Sequence, residues 1–336
     1  MTIRIGINGF GRIGRSVGRI VAKDPNIDLV AVNDLADPEQ LAYLFKYDSV
    51  HGNYDGDVHM EGDTLTIDGD EVKVLSERSP ADLPWDELGV DYAFECTGLF
   101  RKGEDARQHL DAGAEHVLIS APGKGGIDYS VVYGVNHGGL DANSMQVVDV
   151  ASCTTNCLAP VAKVLHDEFG IEHGLMTTIH SYTNSQNLLD GPHKKDWRRG
   201  RSAAENMVPT TTGAAIAVTR VLPELEGRLD GMAVRVPTPN VSMIDMVASL
   251  EASVSVYDVN EAMRTAANGE LDGVLGYTEE PIVSTDMLNN PHSSFFDSQA
   301  TMLTGDNFVK VVSWYDNEWG FSNRMVDVAK HLDSQK

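Results

Sequence analysis

The sequence predicts an α/β fold of two domains, the first built on a doubly wound parallel sheet. Three observations carry this: a glycine-rich turn between a strand and a helix near the N-terminus, an acidic residue closing the next strand, and a length of 336 residues. At roughly 100–200 residues per domain, that length favours two domains, each able to bury a core. Hydrophobic residues make up 42% and charged residues 23% of the chain, which sets aside disordered and collagen-like polymers.

Ile3, Ile5 and Ile7 alternate with Arg4, Gly6 and Asn8, the period of a strand. Gly9, Gly11 and Gly14 follow in a G-x-G-x-x-G pattern, and Ile13, Val17, Ile20 and Val21 then recur at helical spacing. Residues 29–34 read as a second strand ending on Asp34, 20 positions beyond Gly14. Glycines let the backbone turn tightly and approach a pyrophosphate, and the helix start supplies N–H groups with partial positive charge. Asp34 is placed to accept hydrogen bonds from an adenosine ribose. Its charge repels a 2′-phosphate, and residues 35–37 bring no cation to host one. The expected domain is therefore Rossmann-type and its expected cofactor NAD. Strand patterns at 92–96 and 116–120 each open into a small-residue turn, where a doubly wound sheet gathers its ligand. Cys96 reads as a small buried strand residue.

In the second half, residues 147–152 end a strand, and Cys153-Thr154-Thr155-Asn156-Cys157 leads into a helical run closed by Phe169-Gly170. Cys153 thus stands at a helix start, where the dipole favours a thiolate. Cys157, one turn on, reads as a structural thiol. His180 ends the strand-like run 175–179 just before a polar loop, making it a candidate partner for the thiol, although spacing alone does not single it out among 11 histidines. Residues 192–201 form a basic island, residues 209–213 a hydroxyl-rich turn before a helix, and Arg235 lies beyond. Guanidinium, hydroxyl and N–H donors together suit phosphate groups. With three cysteines in all, neither a disulfide framework nor a metal site is expected, since Cys153 and Cys157 have no second ligand pair at metal spacing.

Asp and Glu number 50 against 26 Lys and Arg, a net charge of −24. Such a field repels polyanions, so nucleic-acid binding is not expected. No apolar run reaches the roughly 18 residues a membrane span needs, and the N-terminus enters a strand pattern at once without a leader segment. The expected location is the cytoplasm. The acidic surplus is spread along the chain, notably over residues 55–71 and 224–230. That pattern suggests adaptation to high salt, where ions at about 1 M shrink the Debye length to about 3 Å and self-repulsion fades.

Six motifs, taken together, resemble one family. They are Gly9-Phe10-Gly11-Arg12-Ile13-Gly14-Arg15, Ser152-Cys153-Thr154-Thr155-Asn156-Cys157, His180-Ser181-Tyr182-Thr183, Pro209-Thr210-Thr211-Thr212-Gly213, Arg235-Val236-Pro237-Thr238-Pro239-Asn240-Val241-Ser242 and Trp314-Tyr315-Asp316-Asn317-Glu318-Trp319-Gly320. In order along the whole chain, they resemble the phosphorylating glyceraldehyde-3-phosphate dehydrogenases of the bacterial, NAD-using type. The resemblance implies an NAD-binding domain over 1–151, with a C-terminal helix (about 318–336) packed back on it. It places a catalytic and oligomerisation domain with a mostly antiparallel sheet over 152–317. By the same resemblance Cys153 is the nucleophile and His180 activates it as a thiolate–imidazolium pair. Glyceraldehyde 3-phosphate and inorganic phosphate become 1,3-bisphosphoglycerate through a cysteine thiohemiacetal and thioester, a step of glycolysis.

The cofactor positions implied are Gly9, Gly11, Arg12, Ile13, Gly14, Asp34, Arg78, Ser120 and Asn317. The two phosphate pockets fall on Ser152, Thr154, Thr183, Arg198, Thr212, Gly213 and Arg235, with Arg199 as the alternative to Arg198. A homotetramer is implied, with the 182–202 loop reaching toward a neighbouring subunit's cofactor. Three positions depart from the family's usual residues: Ser185 where many carry Asp, Ile216 where many carry Lys, and Phe321 where Tyr is common. The first two change charge near the phosphate pockets, and none removes a catalytic group. Erythrose-4-phosphate dehydrogenase shares the scaffold and nucleophile and is the nearest rival. A non-catalytic NAD-sensing protein is the alternative from another class.

Overall fold

Both faces of β1 (Ile3–Asn8) are buried, as befits a strand at the centre of a parallel sheet. The computed structural model describes residues 2–336. It divides them into two units, one made of residues up to 133, 137–151 and 322–336, the other of 134–136 and 152–321. In the first unit β1 is joined by β2 (Ile27–Asn33), β3 (Val58–Glu61), β4 (Thr64–Ile67), β5 (Asp70–Leu75), β6 (Tyr92–Glu95), β7 (His116–Ile119), β8 (Tyr129–Ser130) and β9 (Val147–Asp149). Their spatial order is β3-β4-β5-β2-β1-β6-β7-β9-β8. Pairing is parallel from β5 through β8, and antiparallel only for β3-β4 and β4-β5. The chain builds outward from β1 through β2 to β5, then resumes on the opposite side of β1 with β6. The switch point of this doubly wound sheet therefore lies between β1 and β6.

The helix Arg12–Val21 lays Val17 and Val21 on the core. Its Arg19 is buried as well, and is tolerated there because the guanidinium donates to the carbonyls of Phe45 and Gly52 at 2.9 Å each. The second strand begins two residues and ends one residue earlier than the sequence pattern suggests, so Asp34 stands just past its end. Cys96 likewise lies one residue beyond β6 and is half-buried.

In the second unit the helix Cys153–Phe169 is apolar on nearly every face, with Cys157, Leu158, Val161, Ala162, Val164 and Leu165 buried. Such a helix belongs inside a core. It packs against a sheet of β10 (Ile171–Ser181), β11 (Val208–Thr211), β12 (Leu229–Val236), β13 (Ser242–Leu250), β14 (Leu275–Thr278), β15 (Ser294–Asp297), β16 (Met302–Thr304) and β17 (Phe308–Tyr315). The order is β11-β12-β10-β13-β17-β15-β14, with β16 also paired to β17. Only β10-β12 and β14-β15 are parallel, so the sheet is mixed and mostly antiparallel. Burial alternates residue by residue along β13, one side on the core and one outward.

Residues 209–211 read as part of a hydroxyl-rich turn, yet the structure makes Val208–Thr211 a strand. Pro209 is acceptable because β11 is the edge of its sheet, where a missing N–H breaks no ladder. The turn begins at Thr212. The last helix runs Trp319–Asp333, and from Ser322 onward it belongs to the first unit, where Lys330 pairs with Asp24 and Lys336 with Glu115 at 2.6 Å.

Asp48 ties the first unit's loops together. Burial disfavours its charge, but the N–H groups of His51 and Val50 and the Arg12 guanidinium outweigh that and hold its carboxyl at about 2. Because the folded value lies below the ordinary 3.8, its contribution is complete above about pH 4 and lost as pH falls toward 2. Asp48→Asn is expected to destabilise the protein by roughly 2 kcal/mol at pH 7. Urea unfolding at pH 7, 4 and 3 should show that gap narrowing only below pH 4.

Candidate active site

The residues singled out by the sequence form two clusters, one in each unit. At the C-terminal end of β1, Gly9 adopts φ +95°, and a Cβ there would lie 2.6 Å from the Thr97 backbone nitrogen. A Cβ on Gly14 would sit 2.1 Å from the Gly9 carbonyl oxygen. Only glycine fits either place. Gly11 heads the helix Arg12–Val21 without a side-chain capping bond, and the first turn carries no acid, so this helix start suits an anion. Asp34, half-exposed, accepts from the Phe10 N–H at 2.9 Å and the Ala36 N–H at 3.0 Å. Arg12 pairs with Asp48, Ile13 is half-buried, and Arg78 is exposed just beyond β5. The Ser120 N–H donates to the Glu95 carbonyl at 3.0 Å. These residues gather at the C-terminal strand ends and fit a dinucleotide, with N–H groups for its pyrophosphate and a carboxylate for its ribose.

In the second unit Ser152 caps the helix Cys153–Phe169, its Oγ accepting from the Thr155 N–H at 3.0 Å. This cap fixes Cys153 as the first helical residue. β10 extends to Ser181, so His180 rides near the end of the strand, one residue before its close. Its Nε2 lies 3.6 Å from Cys153 Sγ. Parallel pairing of β10 with β12 sets His180 opposite Arg235, and Arg235 Nη1 lies 2.7 Å from His180 Nδ1 and 2.8 Å from the Ser181 carbonyl oxygen. Nδ1 also lies 2.8 Å from that carbonyl. Guanidinium can only donate and a carbonyl can only accept, so Nδ1 can satisfy just one of them at a time.

Burial pushes His180 down to about 3, with the Arg235 charge adding to it and the Ser181 carbonyl opposing. Burial also pushes the Cys153 thiol up, against the pull of Arg235 and the Thr154 hydroxyl and N–H. Enclosure thus opposes charge on both groups, and the Arg235 guanidinium adds to that effect at His180 while working against it at Cys153. Cys157 is fully buried against Ser294, its thiol pushed up to about 12.

Tyr315 received no role from sequence. Its hydroxyl contacts Thr154 Oγ1 at 2.8 Å and Thr178 Oγ1 at 2.9 Å, and its ring meets His180 edge-on. The clue was its place inside the Trp314–Gly320 motif. Asn317 is buried, and its Oδ1 accepts from the hydroxyls of Ser181 at 2.9 Å and Ser242 at 2.8 Å.

Of the adjacent arginines, Arg198 is exposed and lines an open cavity of about 550 Å³ with Trp197 and Met232. Arg199 is half-buried, donates to Thr210 Oγ1 at 2.9 Å, and lies close enough for its charge to act on Arg235. Neighbours in the tight turn Trp197–Gly200 point apart, so Arg198 and Arg199 meet different surroundings, and each stays a candidate for the phosphate pockets. Thr212 Oγ1 accepts from the Ala214 N–H at 3.2 Å, Gly213 heads the helix Ala214–Val221, and Thr183 Oγ1 lies 2.9 Å from Ser185 Oγ. Among the described residues no group of His, Cys, Asp or Glu is arranged to hold a metal ion, and no helix is long and apolar enough to cross a membrane.

Comparison with known families decides the kinship. Residues 3–103 match the NAD-binding domain of glyceraldehyde 3-phosphate dehydrogenase, and residues 152–317 match its C-terminal domain. The chain belongs to the glyceraldehyde-3-phosphate dehydrogenase family. It is 56% identical over 335 residues to the glyceraldehyde-3-phosphate dehydrogenase of Geobacillus stearothermophilus, covering all of this chain and 99% of that one. It is 54% identical over 332 residues to glyceraldehyde-3-phosphate dehydrogenase 1 of Bacillus subtilis strain 168, covering 99% and 98%. To glyceraldehyde-3-phosphate dehydrogenase 2 of Streptomyces avermitilis it is 52% identical over the full length of both.

The geometry makes His180 the partner of this family member's Cys153. His180→Asn should slow iodoacetamide alkylation of Cys153 at pH 7 by at least about tenfold and leave one ionisation at or above the ordinary thiol value of about 8.5. Rates measured from pH 5 to 10 check it, and an unchanged profile would refute the pairing.

Proposed function

We propose that this chain oxidises glyceraldehyde 3-phosphate with NAD and inorganic phosphate to 1,3-bisphosphoglycerate, with Cys153 as nucleophile and His180 as its base. The 3.6 Å approach of Sγ to a neutral Nε2 at a helix start carries the reading. His180 takes the thiol proton as Sγ bonds to the aldehyde carbon, then returns it to the new alkoxide, giving a thiohemiacetal. The same nitrogen next accepts the thiohemiacetal hydroxyl proton as the carbon is oxidised to a thioester. When bound at the Gly9–Gly14 turn, NAD supplies the two-electron acceptor. Inorganic phosphate then attacks the thioester carbon, the C–S bond breaks, and Cys153 recovers its proton from His180.

Phosphate recognition falls to Arg235, Arg198 or its neighbour Arg199, Thr183, Thr212, Gly213, Ser152 and Thr154, which supply the guanidinium, hydroxyl and N–H donors such groups need. For the cofactor, Arg12, Ile13, Asp34, Arg78 and Ser120 are the proposed contacts, with Asn317 presenting an amide whose carbonyl is already held by two serines.

Two finer readings accompany the activity. On the outer face of the second sheet Leu175 and Met232 are exposed, and Ile179, Val234, Met243 and Val247 are half-buried. Apolar side chains so arranged suit an interface between copies of the chain, in keeping with a homotetramer. Exposed acids at Asp55, Asp57, Glu61, Asp63 and Asp70 support adaptation to high salt in a cytoplasmic enzyme. Dialysis to low salt is then expected to dissociate or unfold the protein, and light scattering with activity at about 0.05 M and about 2 M KCl tests it. An active oligomer in dilute buffer would remove that reading.

The decisive assay follows NADH formation from glyceraldehyde 3-phosphate. Activity should require phosphate, fall sharply with NADP, and drop by at least about 10³-fold in Cys153→Ser. Faster oxidation of erythrose 4-phosphate would reassign the substrate, and no single-turnover NADH would make the protein a non-catalytic binder.

A further inference from the structure

A closed chain of buried polar groups crosses the switch point of the first unit's sheet. Glu95, at the end of β6, is fully buried, and so is His109. Register sets Asn8, the last residue of β1, beside Glu95 on one side and Asn33 of β2 on the other. The Glu95 carboxylate collects four donors. Oε1 accepts the Thr97 N–H at 2.8 Å and the Thr97 hydroxyl, while Oε2 faces Asn8 Nδ2 at 2.6 Å and His109 Nε2 at 3.2 Å. Beyond Asn8, its Oδ1 accepts from Asn33 Nδ2 at 2.7 Å. Asn33 in turn brackets the Glu77 backbone, accepting its N–H at 2.7 Å and donating to its carbonyl at 2.9 Å.

Every hydrogen in this chain has one direction. The Trp85 indole N–H can only donate, and it reaches His109 Nδ1 at 2.9 Å, so Nδ1 accepts and the imidazole proton sits on Nε2, aimed at Glu95. Asn8 must present its NH₂ to Glu95 because its carbonyl is engaged by Asn33. A carboxylate therefore fits at position 95, and an amide, with donors of its own, does not. The Thr97 backbone held by that carboxylate faces Gly9 so closely that a Cβ there would come within 2.6 Å of its nitrogen. The Thr97 hydroxyl in turn accepts the Leu99 N–H at 3.0 Å.

We propose that Glu95 is a positioning residue for the dinucleotide site: its buried carboxylate fixes the Thr97 turn and, through it, the glycine turn at Gly9. This rests on NAD binding at the Gly9–Gly14 turn. Glu95 touches no reacting atom, and its effect is on how well the turn is pre-shaped for the pyrophosphate.

The test is NAD binding without turnover, read by intrinsic tryptophan quenching and by calorimetry, with amide hydrogen exchange at residues 9–11 and 97–99. Glu95→Gln is expected to raise the NAD Kd at least about tenfold and to speed exchange at both turns. Cys153 alkylation, which reports on the other unit, should stay within about twofold. The double substitution Asn8→Asp with Glu95→Gln exchanges carboxylate and amide, so the new carboxylate can accept from Asn33, His109 and the amide together. It should recover binding to within about threefold of wild type. Should the single variant not fold, Thr97→Val removes only the hydroxyl, which donates to Glu95 and accepts from the Leu99 N–H, and is expected to weaken NAD binding about threefold to fivefold. A wild-type Kd in Glu95→Gln or in Thr97→Val, or no recovery in the folded exchange variant, overturns the proposal. Failure of wild type itself to bind NAD would instead strike at the functional reading.

Discussion

One phenolic oxygen sets the distance between Cys153 and His180. Tyr315 OH bonds Thr154, on the helix that starts with Cys153, and Thr178, on the strand that carries His180. Helix start and strand are separate segments of chain, and this clasp gives them a common reference point. A hydroxyl left buried without a partner costs about 1–3 kcal/mol, so each of the three groups holds the other two in place. The tyrosine ring, edge-on to the imidazole, limits the turning of His180. The sheet supplies the remaining constraint, for β12 cannot shift against β10 without moving Arg235 off His180.

Electrostatics and geometry both bear on the proposed mechanism. A general base must begin unprotonated, and burial together with Arg235 keeps His180 in that state. The same enclosure opposes a free thiolate at Cys153, so the proton is best moved while sulfur is forming its bond to carbon. Arg235 serves two ends in this scheme. Its charge lowers the thiol's proton affinity, and as a guanidinium it is a natural counterpart for phosphate.

Much of this was legible in the sequence because it depends on local pattern. The strand, glycine turn and helix at residues 3–21, Asp34 after the second strand, and Cys153 at a helix start each follow from a few neighbouring residues. Other features are set by partners far apart in the chain. Tyr315 meets Thr178 across 137 positions and Asn8 meets Glu95 across 87, and no periodicity records either contact. Arg198 and Arg199 are equivalent on paper, and only the turn Trp197–Gly200 separates them. Pro209 argued for a turn until the sheet put its strand at an edge. The proton balance of the Cys153–His180 pair was likewise out of reach, since it depends on how deeply the fold encloses both groups.

Because His180 and Arg235 occupy facing rungs of adjacent strands, their separation is inherited from backbone pairing and not from any loop. The segments that follow them, beginning at Tyr182 and Pro237, therefore do not set that spacing, even where they carry Thr183 and Arg199. A change in those loops would thus alter what is held beside the sulfur and the imidazole without altering the gap between His180 and Arg235.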